Sequence, residues 1–101
     1  MSLLVAVSAS AATLDGQLIS AARSGKTGSV RALIKRGANV NARDKDRATA
    51  LMRAIVNGHE DTARLLIKSG ADVNLKDNEG TTALMGAAFN GRTWTWIFGR
   101  S

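Results

Sequence analysis

Gly37-Ala38-Asn39-Val40-Asn41 returns 33 residues later as Gly70-Ala71-Asp72-Val73-Asn74, and Thr49-Ala50-Leu51-Met52 returns at the same interval as Thr82-Ala83-Leu84-Met85. Ser24-Gly25, Asn57-Gly58 and Asn90-Gly91 keep the same step. Self-similarity at one fixed period of this length marks a stacked array, in which each unit closes its apolar face only against its neighbours. The 101 residues hold about three units, close to the minimum that buries a continuous core. One domain is expected over 14–101, with units at about 14–43, 44–76 and 77–101, behind a segment 1–13 of different composition.

In the second unit Leu51, Ala54 and Ile55 are three and four apart in their spacing, which places them on one face of a helix. Thr49 precedes them as an N-cap and Gly58 follows as a left-handed stop, so a helix is predicted over roughly 49–57. His59-Glu60-Asp61 opens a second helix with carboxylates at the positive end of its dipole; Ala63, Leu66 and Ile67 form its apolar stripe before Gly70. The third unit repeats the first of these helices over 82–90, with Leu84, Ala87 and Ala88 inward. Unit one supplies Leu18, Ala21 and Ala22, then Val30, Leu33 and Ile34, and lacks the Thr-capped opening, as suits a terminal unit with one flank in water. Ala21, Ala54 and Ala87 share a phase, and their small size lets helices of successive units approach closely. The connections 40–47 and 73–80 are carried by turn residues such as Asn41, Asp44, Asn74 and Asp77, with Val40 and Val73 tucked beneath.

These motifs resemble the ankyrin repeat. The resemblance implies an all-α fold, an ankyrin-type helix-turn-helix repeat stack or α-solenoid with hairpin-like fingers. It also implies a non-catalytic scaffold that binds other proteins without a cofactor. Recognition would use the fingers and the exposed edge of each first helix. The matching positions are Arg23 and Ser24 in unit one; Lys45, Asp46, Ala48, Val56 and Asn57 in unit two; and Asn78, Glu79, Thr81, Phe89 and Asn90 in unit three. Phe89, an aromatic at an exposed phase, is the strongest single anchor expected. The family's Thr-Pro-Leu-His reads Thr-Ala-Leu-Met in both units. The proline that presets φ and the histidine that joins a hydrogen-bond network are both replaced, so a marginal fold is expected.

Lys and Arg outnumber Asp and Glu by 14 to 8, which favours a partner with an acidic face. Arg23, Lys26, Arg31, Lys35 and Arg36 cluster in unit one without interleaved aromatics, so no specific nucleic-acid recognition is expected. The absence of cysteine excludes disulfides, thiolate chemistry and sulfur-ligated metals. No apolar run approaches the roughly 20 residues that span a bilayer, so no membrane insertion is expected. Gly25-Lys26-Thr27 looks like the end of a phosphate-binding loop, but the glycine such a loop needs earlier falls at Ser20 and no strand precedes it. His59, the single histidine, has no ligand-type partners at metal spacing and is expected to be structural. The pairs Glu60 with Asp61 and Asp44 with Asp46 fall in exposed turns or a helix start, where nothing is expected to shift a pKa. No catalytic, metal or cofactor site is therefore expected.

The two ends read differently. Leu3-Leu4-Val5-Ala6-Val7 followed by Ser8-Ala9-Ser10-Ala11 resembles the second half of a secretory signal without its positive leader. Residues 1–13 are thus a tail or a signal remnant; the chain is cytoplasmic as written, periplasmic or secreted in the remnant case. After Gly91 the period predicts a second helix, yet the chain reads Arg92-Thr93-Trp94-Thr95-Trp96-Ile97-Phe98. Tryptophan's single codon makes Trp94-Thr95 and Trp96-Ile97 each encode Asp in a shifted frame, and the whole tail can then read His-Leu-Asp-Val-Asp. The alternative expectation is a truncated or frameshifted fragment, natural or laboratory-derived, that mainly folds and self-associates as a homo-oligomer through Trp94, Trp96, Ile97 and Phe98.

Overall fold

Two layers of helices follow from the 33-residue step. The structure, a computed structural model, describes residues 14–90 and, for side chains, 14–88. The expectations for 1–13 and for Trp94, Trp96, Ile97 and Phe98 lie outside these residues. The helices are α1 (14–24), α2 (Thr27–Lys35), α3 (Ala50–Val56), α4 (Glu60–Lys68) and α5 (Ala83–Asn90). Among the described residues there is no strand, only an isolated antiparallel bridge between Arg43 and Thr49. Within unit two α3 packs on α4; between units α3 packs on α5 and α2 on α4. First helices therefore form an inner layer and second helices an outer one. The connections 37–49 and 70–82 run between layers as fingers.

The core contains the set the spacing predicts, except in α5. Leu18, Ala22, Val30, Leu51, Ala54, Ile55, Ala63 and Leu66 are fully enclosed, and Ala21 and Ala87 nearly so. Ile34, Ile67, Val40 and Val73 lie half-buried against that cluster. Of the residues expected inward there, Leu84 is half-buried and Ala88 exposed, while Ala83 is buried as its counterpart Ala50 is. The reason is the neighbour: Ile55, one unit earlier in the same phase, belongs to a helix covered by α4, and no described helix takes that position beside Ala88.

Caps explain where the helices start and stop. Thr49 is extended (φ −94°, ψ 169°), and its hydroxyl accepts from the Met52 amide at 3.2 Å. The Thr49 amide in turn donates to Met52 Sδ at 3.5 Å, so a thioether closes the reciprocal cap that Glu or Gln usually makes. Sulfur is a weak acceptor, and the return bond stabilises correspondingly less. Thr82 repeats the first half of this cap, accepting from the Met85 amide at 3.3 Å. Gly58 takes a φ of 77° and His59 donates back to the Ala54 carbonyl at 2.8 Å, which ends α3 as expected. Gly37 and Gly70, at φ 103° and 100°, close α2 and α4 in the same way, through bonds from Ala38 to Leu33 and from Ala71 to Leu66 at 3.0 Å.

Candidate functional site

The Gly-Ala-Asn/Asp-Val-Asn motif is a device for folding and joining fingers. Asn39 Oδ1 accepts from the Asn41 amide and Asp72 Oδ1 from the Asn74 amide, both at 2.9 Å, so each short side chain stands in for a backbone turn. Asn41 Oδ1 then accepts from the Asp72 amide of the next unit at 2.8 Å, and Asp15 Oδ1 on α1 accepts from the Asn39 amide at 2.8 Å. The first finger base is thus tied to the first helix of its own unit and the second to the finger of the unit before it.

A second aspartate shapes each fingertip. Asp44 Oδ1 accepts from the amides of Asp46 (2.9 Å) and Ala48 (3.0 Å); Asp77 Oδ1 accepts from those of Glu79 and Thr81 at 2.9 Å. The two tips are bonded directly, Asn78 donating its amide to the Asp46 carbonyl at 2.9 Å. Here the units diverge. Asp44 Oδ2 also receives Arg53 Nε at 3.0 Å and Arg53 Nη2 at 2.7 Å, and the same Nη2 reaches Asp46 at 3.2 Å. One period after Arg53 the chain carries Gly86, so Asp77 has no such arginine. Burial on its own pushes the Asp44 carboxyl up, but the Arg53 guanidinium and two amides outweigh it and hold the group below its ordinary value. The hydrogen bond that Arg53 donates to Asp44 raises the arginine in turn. This corrects the expectation that nothing shifts a pKa at Asp44. The shift keeps the carboxylate charged, which suits a clamp and not a proton donor.

Finger one also holds a strained residue. Arg47 has a φ of 64°, where its counterpart Gly80 has 76°. An L side chain in that region costs roughly 1–2 kcal/mol.

These supports present one continuous strip. A groove of about 430 Å³ between α1 and finger one is lined by Asp15, Ile19, Arg23, Arg43 and Asp44. Beyond the clamp, a notch of about 160 Å³ between the tips is lined by Asp46, Arg53, Asp77, Asn78 and Glu79. Of the positions expected to meet a partner, Arg23, Lys45, Asp46, Asn57, Asn78 and Glu79 are exposed, Val56 is 57% exposed, and Thr81 is half-buried. Ala48 is inside, at 3% exposure, because the Asp44 turn draws its amide inward just before α3 begins. It offers no contact surface, which corrects that expectation. The side chains of Phe89 and Asn90 lie outside the described residues. Met85, 48% exposed on α5, was not expected here. Its counterpart Met52 is 6% exposed, and nothing in the identical Thr-Ala-Leu-Met sequences distinguishes the two.

His59 joins units. Its Nε2 lies 3.0 Å from the Arg23 carbonyl, and its ring sits so close to Gly25 that a Cβ there would fall 2.5 Å from Nδ1. Gly25, at φ 74°, is required on both counts. Among the described residues no group of three or more His, Asp or Glu is placed to hold a metal ion. No helix among them is long and apolar enough to cross a membrane.

Residues 18–97 match a protein-family model described as Ankyrin repeats (3 copies). No curated protein matches the chain.

Proposed function

Because the chain belongs to the ankyrin-repeat family, whose repeats generally mediate protein–protein interaction and are typically non-catalytic, we propose that it is a scaffold gripping a protein partner along its fingers and inner helices. The observation that carries this reading is the bonded finger strip. Its turns are fixed by Asp44 and Asp77, its tips are joined through Asn78 and Asp46, and it stands beside an apolar side chain left in water at Val56. Fixed loops bind with less ordering entropy than mobile ones, and a wet apolar residue beside them gains when covered. Lys45, Asn78 and Val56 are the contacts on which we place most of the affinity. Photocrosslinking in the source cells from a probe at Asn57 should trap a partner. Lys45→Ala, Val56→Ala and Asn78→Ala combined should lose that product while the melting temperature holds. An unchanged product pattern refutes the assignment.

A second reading stands on the codon arithmetic of Trp94 and Trp96. In it the chain is a fragment of a longer array whose aromatic end drives self-association. The nucleotide sequence decides the origin: codons 92–98 either encode a repeat-like helix in the other frame or do not. Light scattering of the whole chain against one ending at Gly91 decides the association.

A further inference from the structure

The charge excess of this protein has an address. Among the described residues the outer layer, 26–36 and 60–69, carries Lys26, Arg31, Lys35, Arg36, Arg64 and Lys68 against only Glu60 and Asp61. The remaining charged side chains from 14 to 90, His59 aside, are six of each sign and cancel. Among the described residues the net positive charge therefore belongs to the outer helical layer.

Repetition orders that charge. Arg31 and Arg64 are one period apart, as are Lys35 and Lys68, so each pair faces its counterpart across neighbouring helices. Along a helix the arginine and lysine are separated by about 6 Å, and packed helices lie roughly 8–10 Å apart. Between the two rows runs a groove of about 310 Å³, lined by Thr27, Arg31, Asp61, Arg64, Leu65 and Lys68. Leu65 is half-buried, an apolar patch between the rows, and Arg64 is bonded to Glu60 at 2.8 Å.

We propose that the groove between α2 and α4 is a second docking surface, one that takes a run of acidic residues from a protein partner in extended form. In an extended segment successive side chains point to opposite sides, and those on one side are spaced about 6.6–7 Å apart. One set then meets Arg31, with Lys35 one turn beyond the groove's lining, the other meets Arg64 and Lys68, and the glutamate methylenes lie on Leu65. An incoming carboxylate replaces Glu60 on Arg64, so the exposed pair is exchanged and not simply lost. Nucleic acid fits less well. Residues 26–36 and 60–69 of the outer layer include no aromatic residue for base stacking.

The test uses the intact chain and fluorescein-labelled octaglutamate, read by fluorescence anisotropy at low ionic strength. Arg31→Glu with Arg64→Glu should weaken binding about tenfold or more, since like charges then face each other. Arg47→Glu with Lys76→Glu makes the same change in net charge away from the groove and should weaken it by less than about threefold. Circular dichroism confirms that both variants fold. Equal loss in the two variants, no binding by the native chain, or tighter binding of a short DNA duplex than of octaglutamate each overturns the proposal. The finger-strip variants leave this titration unchanged, so its failure is distinct from failure of the scaffold reading.

Discussion

Removing the first finger's aspartate should cost more than removing the second's, and the difference measures one arginine. Asp44→Ala strands the amides of Asp46 and Ala48 and leaves Arg53 with its 3.2 Å bond to Asp46; Asp77→Ala strands only the amides of Glu79 and Thr81. A hydrogen bond to a charged partner contributes about 1.5–3 kcal/mol. The Arg53 and Asp44 side chains keep 25% and 18% of their surface in water, which lowers the figure toward that of an exposed pair. We expect Asp44→Ala to be worse than Asp77→Ala by about 1–2 kcal/mol, or roughly 4–8 °C in melting temperature per kcal/mol for a domain of this size. Urea denaturation near neutral pH gives the comparison directly. Because the folded Asp44 carboxyl titrates below its ordinary value of 3.8, its contribution is complete above that pH and fades as pH falls through the lower folded value. The gap between native protein and Asp44→Ala should therefore close in acid. Equal costs for the two aspartates, or a gap that survives acid, would refute the clamp as a source of stability.

Three further outcomes follow from the same geometry, all readable by thermal and urea denaturation. Ala50 opens α3 behind an extended Thr49, so Ala50→Pro should stabilise by about 0.4–1 kcal/mol, and a fall would mean that the enclosed site rejects the ring. Gly86→Arg should stabilise by about 1 kcal/mol or more through helix propensity and a new partner for Asp77; a Cβ there meets nothing closer than Ile55 at 3.7 Å, and a loss would show that the clamp cannot be copied. Arg47→Gly should gain up to about 1 kcal/mol by relieving its left-handed backbone, and destabilisation would show that the side chain contributes more than its strain costs.

The repeat, the helices and most of the core were legible because they depend on spacing alone. Leu51, Ala54 and Ile55 are buried for the reason their positions suggest, and Gly58 stops its helix because only a positive φ lets His59 reach back to Ala54. What the spacing could not carry depends on which neighbour is present. Ala88 repeats the phase of Ile55 but lacks its covering helix, and Ala48 sits in an exposed-looking loop whose turn folds it inside. The Arg53 clamp joins a helix to a loop nine positions away, a separation that belongs to no periodic pattern. Met52 stands where the family's histidine would bond, yet its sulfur recovers part of the cap. The contact positions were placed by family resemblance, and the structure adds what holds several of them still.

The single amide of Asn78, given to the Asp46 carbonyl, makes two loops one lever. Solvent exchange at that amide requires the loops to separate, so its protection factor reports their parting directly. A ligand that holds the two tips together should slow exchange at that amide.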